Sequence, residues 1–270
     1  MKICRICDEY YPELGDLGYL LYFENTHRFY IEIADGLDYW YAPPIMDWYI
    51  EHGIEYVDAE WSLKWVQNRI IPPDRQNIAQ ILINQGMDSY NEYRMLVYSD
   101  GRCAQDDCMV EEIHEKDLPE YIIRRRERHV RSVFPLHEHR VMVFFIDGTS
   151  CVVDVNSIVG KDPRFTRILR ETDVFSKVHV SEGGYGICWD EQREIPFYEL
   201  KKYKTDYMIS YDDMRLIIEH ETLDTAQTAE RLNCSRQNID DLVKRDKLRP
   251  VKTGAKSKLF MRSEVEERLW

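Results

Sequence analysis

A short segment near the end of the chain carries long polar and cationic side chains at spacings that suit hydrogen bonding to bases and phosphates. Arg236, Gln237 and Asn238 follow directly after Ser235. In the first turn of a helix such side chains can reach base edges in a major groove, while free backbone N–H groups face phosphate. Cations further along can neutralise phosphates. The candidate DNA contacts are Ser235, Arg236, Gln237, Asn238, Lys244, Arg245, Lys256 and Lys258.

Two predicted helices would position this segment. Asp224 followed three residues later by Gln227 is a capping-box pattern, so a first helix is predicted over residues 225–232. A two-residue break follows, and Ser235 is the expected N-cap of a second helix. Apolar residues of this second helix recur at helical spacing and would face inward. They are Ile239, Leu242 and Val243.

A β-hairpin and a last helix complete the predicted C-terminal fold. The turn Thr253–Lys258 holds one glycine and two lysines between apolar strands, which indicates a wing. Ser263 with Glu266 repeats the capping-box pattern and predicts a final helix. In that helix Val265 and Leu269 would face the core.

Charge is distributed unevenly along the chain. Residues 222–262 contain ten Lys and Arg against five Asp and Glu, although the formal net charge of the chain is -13. The rest of the chain is therefore strongly acidic and should be repelled by nucleic acid. Asp240 and Asp241 lie mid-way along the second helix, so either the surface facing a groove is narrow or the affinity for DNA is modest. A helical hairpin with a solvated, charged face is the alternative interpretation.

The string TAQTAERLNCSRQNIDDLVKRDKLRP, which contains both helices, resembles the helix-turn-helix of the MerR and excisionase families. The resemblance covers about fifty residues and implies a winged helix-turn-helix. In those families the DNA contacts come from the front of the second helix and from the wing. The resemblance therefore implies contacts at Ser235, Arg236, Gln237 and Asn238, and at Lys256 and Lys258.

The composition of the whole chain fits a soluble protein of two or three domains. It has 270 residues, of which 44% are hydrophobic, enough for sizeable cores. No apolar run approaches the roughly twenty residues of a membrane span, and the first residues lack the apolar core of a signal peptide. The 7 cysteines fit reduced thiols better than a disulfide framework. We expect a cytoplasmic protein with no membrane partner.

Residues 1–119 are predicted to form an acidic, aromatic α+β domain. Two β-rich runs, residues 20–23 and 29–33, predict a hairpin, and Asp74 is the expected cap of a later helix. The motifs GYLLYFENTHRFYIEI, IIPPDRQNIAQILINQG and YNEYRMLVYSDGRCAQDD resemble the first N-terminal subdomain of HipA-type toxin kinases. That subdomain helps to contact an antitoxin partner, so the resemblance implies a protein-contact role without catalysis. The chain has no kinase phosphate loop or catalytic-loop signature.

Residues 120–204 are predicted to form a small β-rich domain. Asp147 and Gly148 are a strong hairpin signal between two apolar strands, and a second β-rich pair turns at Gly183 and Gly184. The runs RSVFPLHEHRVMVFFIDGTSCVVDV, DVFSKVHV and GICWDEQREIPFYEL resemble the small bacterial domain of unknown function 2442. That family occurs fused to helix-turn-helix modules and implies no catalytic residues.

Other clusters of reactive side chains have ordinary alternatives. Four cysteines could supply thiolates for zinc, yet their spacing favours free thiols. These cysteines are Cys4, Cys7, Cys103 and Cys108. His137 and His139 would share a face of a strand with no carboxylate to orient them, which favours a solvent-facing edge over a metal site. Four arginines could touch phosphate or belong to a solvated strand; they are Arg124, Arg125, Arg126 and Arg128.

The sequence thus predicts an α+β, multidomain protein with modules at residues 1–119, 120–204 and 205–270, the last a winged helix-turn-helix. We expect a DNA-binding transcriptional regulator whose first two modules provide dimerisation or sense a partner or effector. The expected partners are double-stranded DNA, a second copy in a homodimer, and a protein that contacts residues 1–119. No catalytic residue, metal ligand or cofactor is expected. The alternative is an antitoxin-like interaction protein that binds a toxin or kinase and autoregulates its operon.

Overall fold

A computed structural model describes residues 1–159, 162–189, 194–252 and 258–269. Its antiparallel sheets and short separate helices make it α+β, as the sequence predicts. The chain divides into two compact units, residues 1–123 and 124–270. The three predicted modules are finer than this division and stay a prediction. Within the described ranges, every helix is too short or too polar to span a bilayer.

The first unit is built on a five-stranded antiparallel sheet with the strand order β4-β3-β2-β1-β5. Its strands are β1 (Lys2–Asp8), β2 (Asp16–Phe23), β3 (Arg28–Ile33), β4 (Tyr56–Val57) and β5 (Cys108–Ile113). The predicted hairpin is β2–β3, in which Leu21 pairs with Tyr30. Because β2 is the central strand, all its residues after Asp16 are buried.

Four α-helices of the first unit lie between β3 and β5 along the chain. They are α1 (Met46–Glu51), α2 (Ala59–Gln67), α3 (Ile78–Asn84) and α4 (Glu92–Tyr98). Asp58 caps α2 by accepting a hydrogen bond from the Trp61 N–H at 3.0 Å. The same helix places Trp65 and Val66 in the core beneath the sheet.

The predicted cap of α3 is wrong. Asn77, rather than Asp74, precedes the first residue of this helix, and its side chain makes no capping hydrogen bond. Asp74 lies instead in a turn that the Arg75 N–H closes on the Pro72 carbonyl at 3.2 Å. The residues that the sequence pattern assigned to the start of the helix form this turn instead, and the helix begins later, at Ile78.

Three antiparallel sheets organise the second unit, with the strand orders β12-β8-β7-β6, β11-β10-β9 and β13-β15-β14. The strands of the first two are β6 (Val130–Pro135), β7 (Arg140–Phe145), β8 (Ser150–Asp154), β9 (His179–Val180), β10 (Gly186–Cys188), β11 (Glu194–Pro196) and β12 (Lys204–Thr205). The predicted Asp147–Gly148 turn joins β7 to β8, and Asp147 accepts a hydrogen bond from the Thr149 N–H at 2.8 Å. Both predicted strand pairs of this region are confirmed.

Short helices connect these strands. They are α5 (Glu120–Arg126), α6 (Val155–Val159), α7 (Thr166–Arg170), α8 (Thr172–Phe175) and α9 (Phe197–Leu200). The structure corrects the strand expected around the arginine cluster, because three of its arginines form the last turn of α5. Cations are favourable there, at the negative end of the helix dipole.

The structure also corrects the strand expected at His137 and His139. Both residues lie in a 3-10 turn in which Glu138 has a φ of 57°, a value that extended backbone does not take. His137 also lies next to a carboxylate from a distant part of the sequence, which the sequence pattern does not predict. Its Nδ1 lies 3.1 Å from Oδ1 of Asp213, 76 residues further along the chain.

The C-terminal part of the second unit contains the two predicted helices, a further helix before them and one after them. Its elements are α10 (Tyr211–Glu221), β13 (Thr222–Asp224), α11 (Thr225–Arg231), α12 (Arg236–Lys244), β14 (Pro250–Lys252), β15 (Leu259–Met261) and α13 (Arg262–Glu266). The predicted capping box of the last helix is wrong. Helix α13 already begins at Arg262, so Ser263 lies inside it and makes no capping hydrogen bond. Glu266 binds Arg231 instead, at 2.7 Å.

Candidate nucleic-acid interface

Helix α11 starts with the predicted capping box. Oδ1 of Asp224 accepts hydrogen bonds from the N–H groups of Ala226 at 2.7 Å and Gln227 at 2.8 Å. Gln227 returns the interaction, since its Oε1 accepts from the Asp224 N–H at 2.9 Å. Three backbone donors at the start of the helix are thereby satisfied.

A tight turn separates α11 from α12. Asn233 has a φ of 48°, which lets the Cys234 N–H reach back to the Ala229 carbonyl at 2.9 Å. Ser235 then caps α12, as predicted, because its Oγ accepts a hydrogen bond from the Asn238 N–H at 3.2 Å. The short turn fixes where the exposed front of α12 lies relative to α11.

The inner face of α12 packs against a small apolar core. Ile239 is fully buried, and Leu242 and Val243 pack partly buried against the same cluster. The cluster also contains residues from β13, α11, the segment after α12, β15 and α13, namely Leu223, Ala229, Leu248, Phe260 and Val265. The predicted inward face of the helix is therefore confirmed, and the opposite face is left to solvent.

The solvent face of α12 begins with three of the predicted contact residues. Arg236, Gln237 and Asn238 are exposed, and their side chains make no hydrogen bond or ion pair with the part of the chain that the structure describes. The first turn thus presents one guanidinium and two amide groups that are free to bind a ligand. Of the remaining members of the predicted set, Ser235 is engaged as the cap and Arg245 is exposed.

Further along, carboxylates of α12 bind the predicted phosphate contacts. Asp241 lies 3.4 Å from Nζ of Lys244 on the same helix. Asp240 forms an ion pair with Lys258, which directly precedes β15. The hydrogen bond from Lys258 lowers the pKa of the Asp240 carboxyl below its usual value. Lys258 therefore links the start of β15 to α12, and the other lysine of the predicted wing, Lys256, lies outside the described residues.

Some cations of this surface were not among the predicted contacts. Lys247 and Lys252 are exposed just beyond α12 and on β14, and Arg249 is paired with Asp246 at 2.8 Å. The sequence signal for them was the local charge count. That count could not separate exposed cations from paired ones, because it does not say which carboxylate lies beside which cation, as Asp246 lies beside Arg249.

Thiols elsewhere in the chain lack the features of a metal centre. Cys4 and Cys7 lie three positions apart on β1, so they point to opposite faces of the sheet. Burial raises the pKa of Cys4 to about 11 and that of Cys108 to about 12, which disfavours the thiolate that zinc binds. The described residues contain no group of three or more His, Cys, Asp or Glu side chains placed to hold a metal ion.

Comparison with known proteins identifies one part of the chain. A protein of Nitrosomonas europaea, provisionally described as DNA-binding, is 20% identical in sequence; the match covers 46% of this chain and 79% of the other, with a TM-score of 0.26. Nothing about this chain follows from so low a TM-score. No curated protein matches it, and the MerR, excisionase and HipA resemblances stay predictions. The predicted resemblance of the middle region is confirmed: residues 130–195 match the model of a family described as a protein of unknown function, the DUF2442 domain.

Proposed function

We propose that this chain binds double-stranded DNA through a winged helix-turn-helix within residues 205–270 and regulates transcription, without a catalytic step. The observation that carries the proposal is the free first turn of α12, with Arg236, Gln237 and Asn238 exposed and unpaired among the described residues. Arginine and the two amide side chains have the donor and acceptor patterns that read guanine and adenine edges in the major groove.

The packing of α12 against its apolar core supports the same proposal. A helix that reads DNA must be held rigidly while its outer face stays bare, and Ile239 is fully buried on the inner face. Hairpin β14–β15 follows directly and lies in the position of a wing along the chain. Its ion pair from Lys258 to Asp240 holds hairpin and helix together, so both could meet one duplex at once.

A homodimer is part of the proposal, because a single reading helix buries too little surface for specific binding. Helix α10 offers a surface for it. Tyr211, Met214 and Ile218 recur at the spacing of one helical face and are 72%, 45% and 53% exposed. An apolar stripe of this kind on a polar molecule is typical of an interface, and a second copy would cover both stripes at once.

The proposal is tested by fluorescence anisotropy of the full-length protein on duplex DNA. We expect binding at low salt that weakens steeply as salt is added, because bound cations release counterions from phosphates. Arg236→Ala should lower affinity about tenfold, a loss in the range of one base-edge contact. Arg170→Ala is the matched control, since Arg170 is an exposed arginine of the same unit. Absence of binding, or equal loss in both variants, would refute the proposal.

An antitoxin-like interaction protein is the second candidate. A specific observation favours it: the first unit exposes aromatic side chains on the adjoining segments 39–41 and α1, with Trp40 84% and Trp48 50% exposed. Large exposed aromatics are typical of protein–protein contacts. A neighbouring gene for a kinase core without its first subdomain would favour this candidate. Absence of such a gene beside a chain that binds DNA specifically would favour the first.

A further inference from the structure

A cleft of about 440 Å³ lies within the second unit, between β6 of the DUF2442 domain and helices α10 and α13. Its volume is in the range of small-molecule sites. Part of its wall is apolar, formed by Val133, Phe134 and Val178. The cleft therefore combines an apolar surface with the charged groups described next.

Cations outnumber carboxylates in the wall of the cleft. The two carboxylates are Glu221 and Glu266. The permanently cationic side chains are Arg131, Lys177, Arg231 and Arg262. This local excess occurs in a chain with a formal net charge of -13. A concave surface with an excess of positive charge concentrates anions, so the cleft favours anions.

Three of these arginines already lie near a carboxylate of the protein, and Nε of Arg131 is 3.6 Å from Oε1 of Glu267. Nη2 of Arg231 lies 2.7 Å from Glu266, and Nη1 of Arg262 lies 4.0 Å from the other oxygen of that carboxylate. The Nε–H of Arg262 donates to the His220 carbonyl at 2.6 Å, which orients its guanidinium group. A guanidinium pair of this kind suits a carboxylate or phosphate, and a ligand could replace Glu266 there.

Glu221 faces the cleft from the end of α10 and is 3% exposed. Its carboxyl accepts a hydrogen bond from Oγ of Ser132 on β6 at 3.0 Å. Burial raises the pKa of Glu221 to about 7, against the opposing effects of Ser132 and Arg262. Near neutral pH this group is therefore partly uncharged, which leaves the excess of cations little reduced.

We propose that this cleft is a binding site for a small organic anion that carries a carboxylate or phosphate on an apolar body. The apolar body would lie against Val133 and Phe134, and the anion would pair with Arg131, Arg231 and Arg262. These arginines belong to β6, α11 and α13, so one ligand would connect the DUF2442 domain to the helix that precedes the DNA-reading helix. Binding itself is independent of the proposed function; an effect of the ligand on DNA binding rests on it.

The first test is isothermal titration calorimetry of the full-length protein with phenylacetate and with phenyl phosphate. Benzyl alcohol serves as the neutral analogue. We expect at least one of the two anions to bind at millimolar concentrations or below, and the neutral analogue to bind at least tenfold more weakly. Two variants test the assignment, Arg131→Gln and Arg262→Gln, and both should lower anion affinity at least fivefold. Arg131 is exposed, so its replacement should leave the fold intact.

Arg167→Gln is the matched control, because Arg167 is an exposed arginine paired with a glutamate outside the cleft. It should bind the anions as the unaltered chain does. No binding of either anion, equal binding of benzyl alcohol, or unchanged affinity in both cleft variants would overturn the site. Stronger binding of phenyl phosphate than of phenylacetate would identify a phosphate ligand, and the reverse a carboxylate.

A pH titration of phenylacetate binding tests the role of Glu221. The charged and titratable groups around it are His220 on its own helix, Arg131 on β6, Lys177 and His179 beside β9, Arg231 on α11, and Arg262 and Glu266 on α13. Phenylacetate keeps its charge between about pH 6 and 9, so affinity should fall as Glu221 ionises above its folded pKa. In Glu221→Gln the fall should be smaller and affinity above neutral pH higher. An unchanged pH profile would remove Glu221 from the site.

Coupling to DNA is measured last, by anisotropy of the full-length protein on duplex DNA with and without the bound anion. We expect at least a threefold change in DNA affinity, absent in Arg131→Gln. Failure of DNA binding without any anion refutes the proposed function and leaves the anion site standing. Anion binding that leaves DNA affinity unchanged refutes the coupling alone.

Discussion

Two aspartates of α12 decide which cations of the C-terminal region are available to a ligand. Asp241 lies near Lys244 and Asp240 binds Lys258, two lysines that the sequence pattern predicts as phosphate contacts. Each pair holds one positive and one negative charge, so it adds little to the attraction for DNA. Uncompensated positive charge remains instead at Arg236, at the front of the helix, and at the exposed Arg245, Lys247 and Lys252. Residue types alone could not predict this, because Asp240 and Lys258 come together only when the hairpin returns.

Replacing Asp240 by Asn should strengthen non-specific DNA binding. The substitution removes the carboxylate that pairs with Lys258, and with it one negative charge, so phosphate is attracted more strongly to this surface. We expect the slope of log affinity against log salt to steepen by about one unit. The measurement is a salt titration of the full-length protein on a random duplex.

Asp173→Asn is the control for Asp240→Asn, because Asp173 is exposed on α8 and its removal changes the net charge equally. It should leave the slope unchanged. An equal increase in both variants would mean that total charge, rather than the loss of the carboxylate beside Lys258, governs binding.

Secondary-structure elements follow from the sequence where a local interaction defines them. The Asp224–Gln227 box, the Ser235 cap and the Asp147–Gly148 turn all form as predicted, because each needs only neighbouring backbone groups. Predictions failed where a distant partner competes. Glu266 binds Arg231 rather than capping a helix, and His137 meets an aspartate 76 residues away. The cleft is of this second kind, since β6 and α10 supply its walls.

A tight turn in the DUF2442 domain gives the clearest stability prediction at this scale. Gly184 has a φ of +75°, and a Cβ there would lie 2.4 Å from the Val130 carbonyl oxygen. Gly184→Ala therefore adds a backbone clash to the strain of a left-handed residue, and should lower the free energy of unfolding by about 2 to 5 kcal/mol. Gly148, with a φ of +83° and open space around it, is the control.

Gly148→Ala carries the strain without the clash, so we expect it to cost only about 1 to 2 kcal/mol. Both variants can be compared with the unaltered chain by urea unfolding. Similar losses in the two would show that the contact between the β9–β10 turn and β6 can relax at little cost.

The whole molecule separates an acidic majority from a cationic C-terminal region. Residues 222–262 carry an excess of positive charge in a chain of formal net charge -13. Repulsion between DNA and the remainder should orient the encounter so that the C-terminal region arrives first. The apolar stripe of α10, where Ile218 is 53% exposed, offers a second copy a contact that does not depend on charge.

Ile218→Glu should therefore convert a dimer to a monomer. A charge placed in a self-complementary apolar contact appears twice in the dimer, once from each copy, so we expect the dimer dissociation constant to rise at least tenfold. Sedimentation equilibrium measures it, with Ile83→Glu as a control at an isoleucine that is 70% exposed in the first unit. A monomeric unaltered chain, or a variant that still dimerises, would exclude this interface.

The measurement that tests the central claim most directly is site selection with the full-length protein, followed by affinities on the selected and a scrambled duplex. If the first turn of α12 reads sequence, Gln237→Ala and Asn238→Ala should each lose about 1 to 3 kcal/mol on the selected duplex and much less on the scrambled one, because paired hydrogen bonds to base edges are lost. Lys256→Ala and Lys258→Ala should weaken both duplexes alike. Equal losses on both duplexes for Gln237→Ala and Asn238→Ala would contradict the account, and the interaction-protein candidate would then take its place.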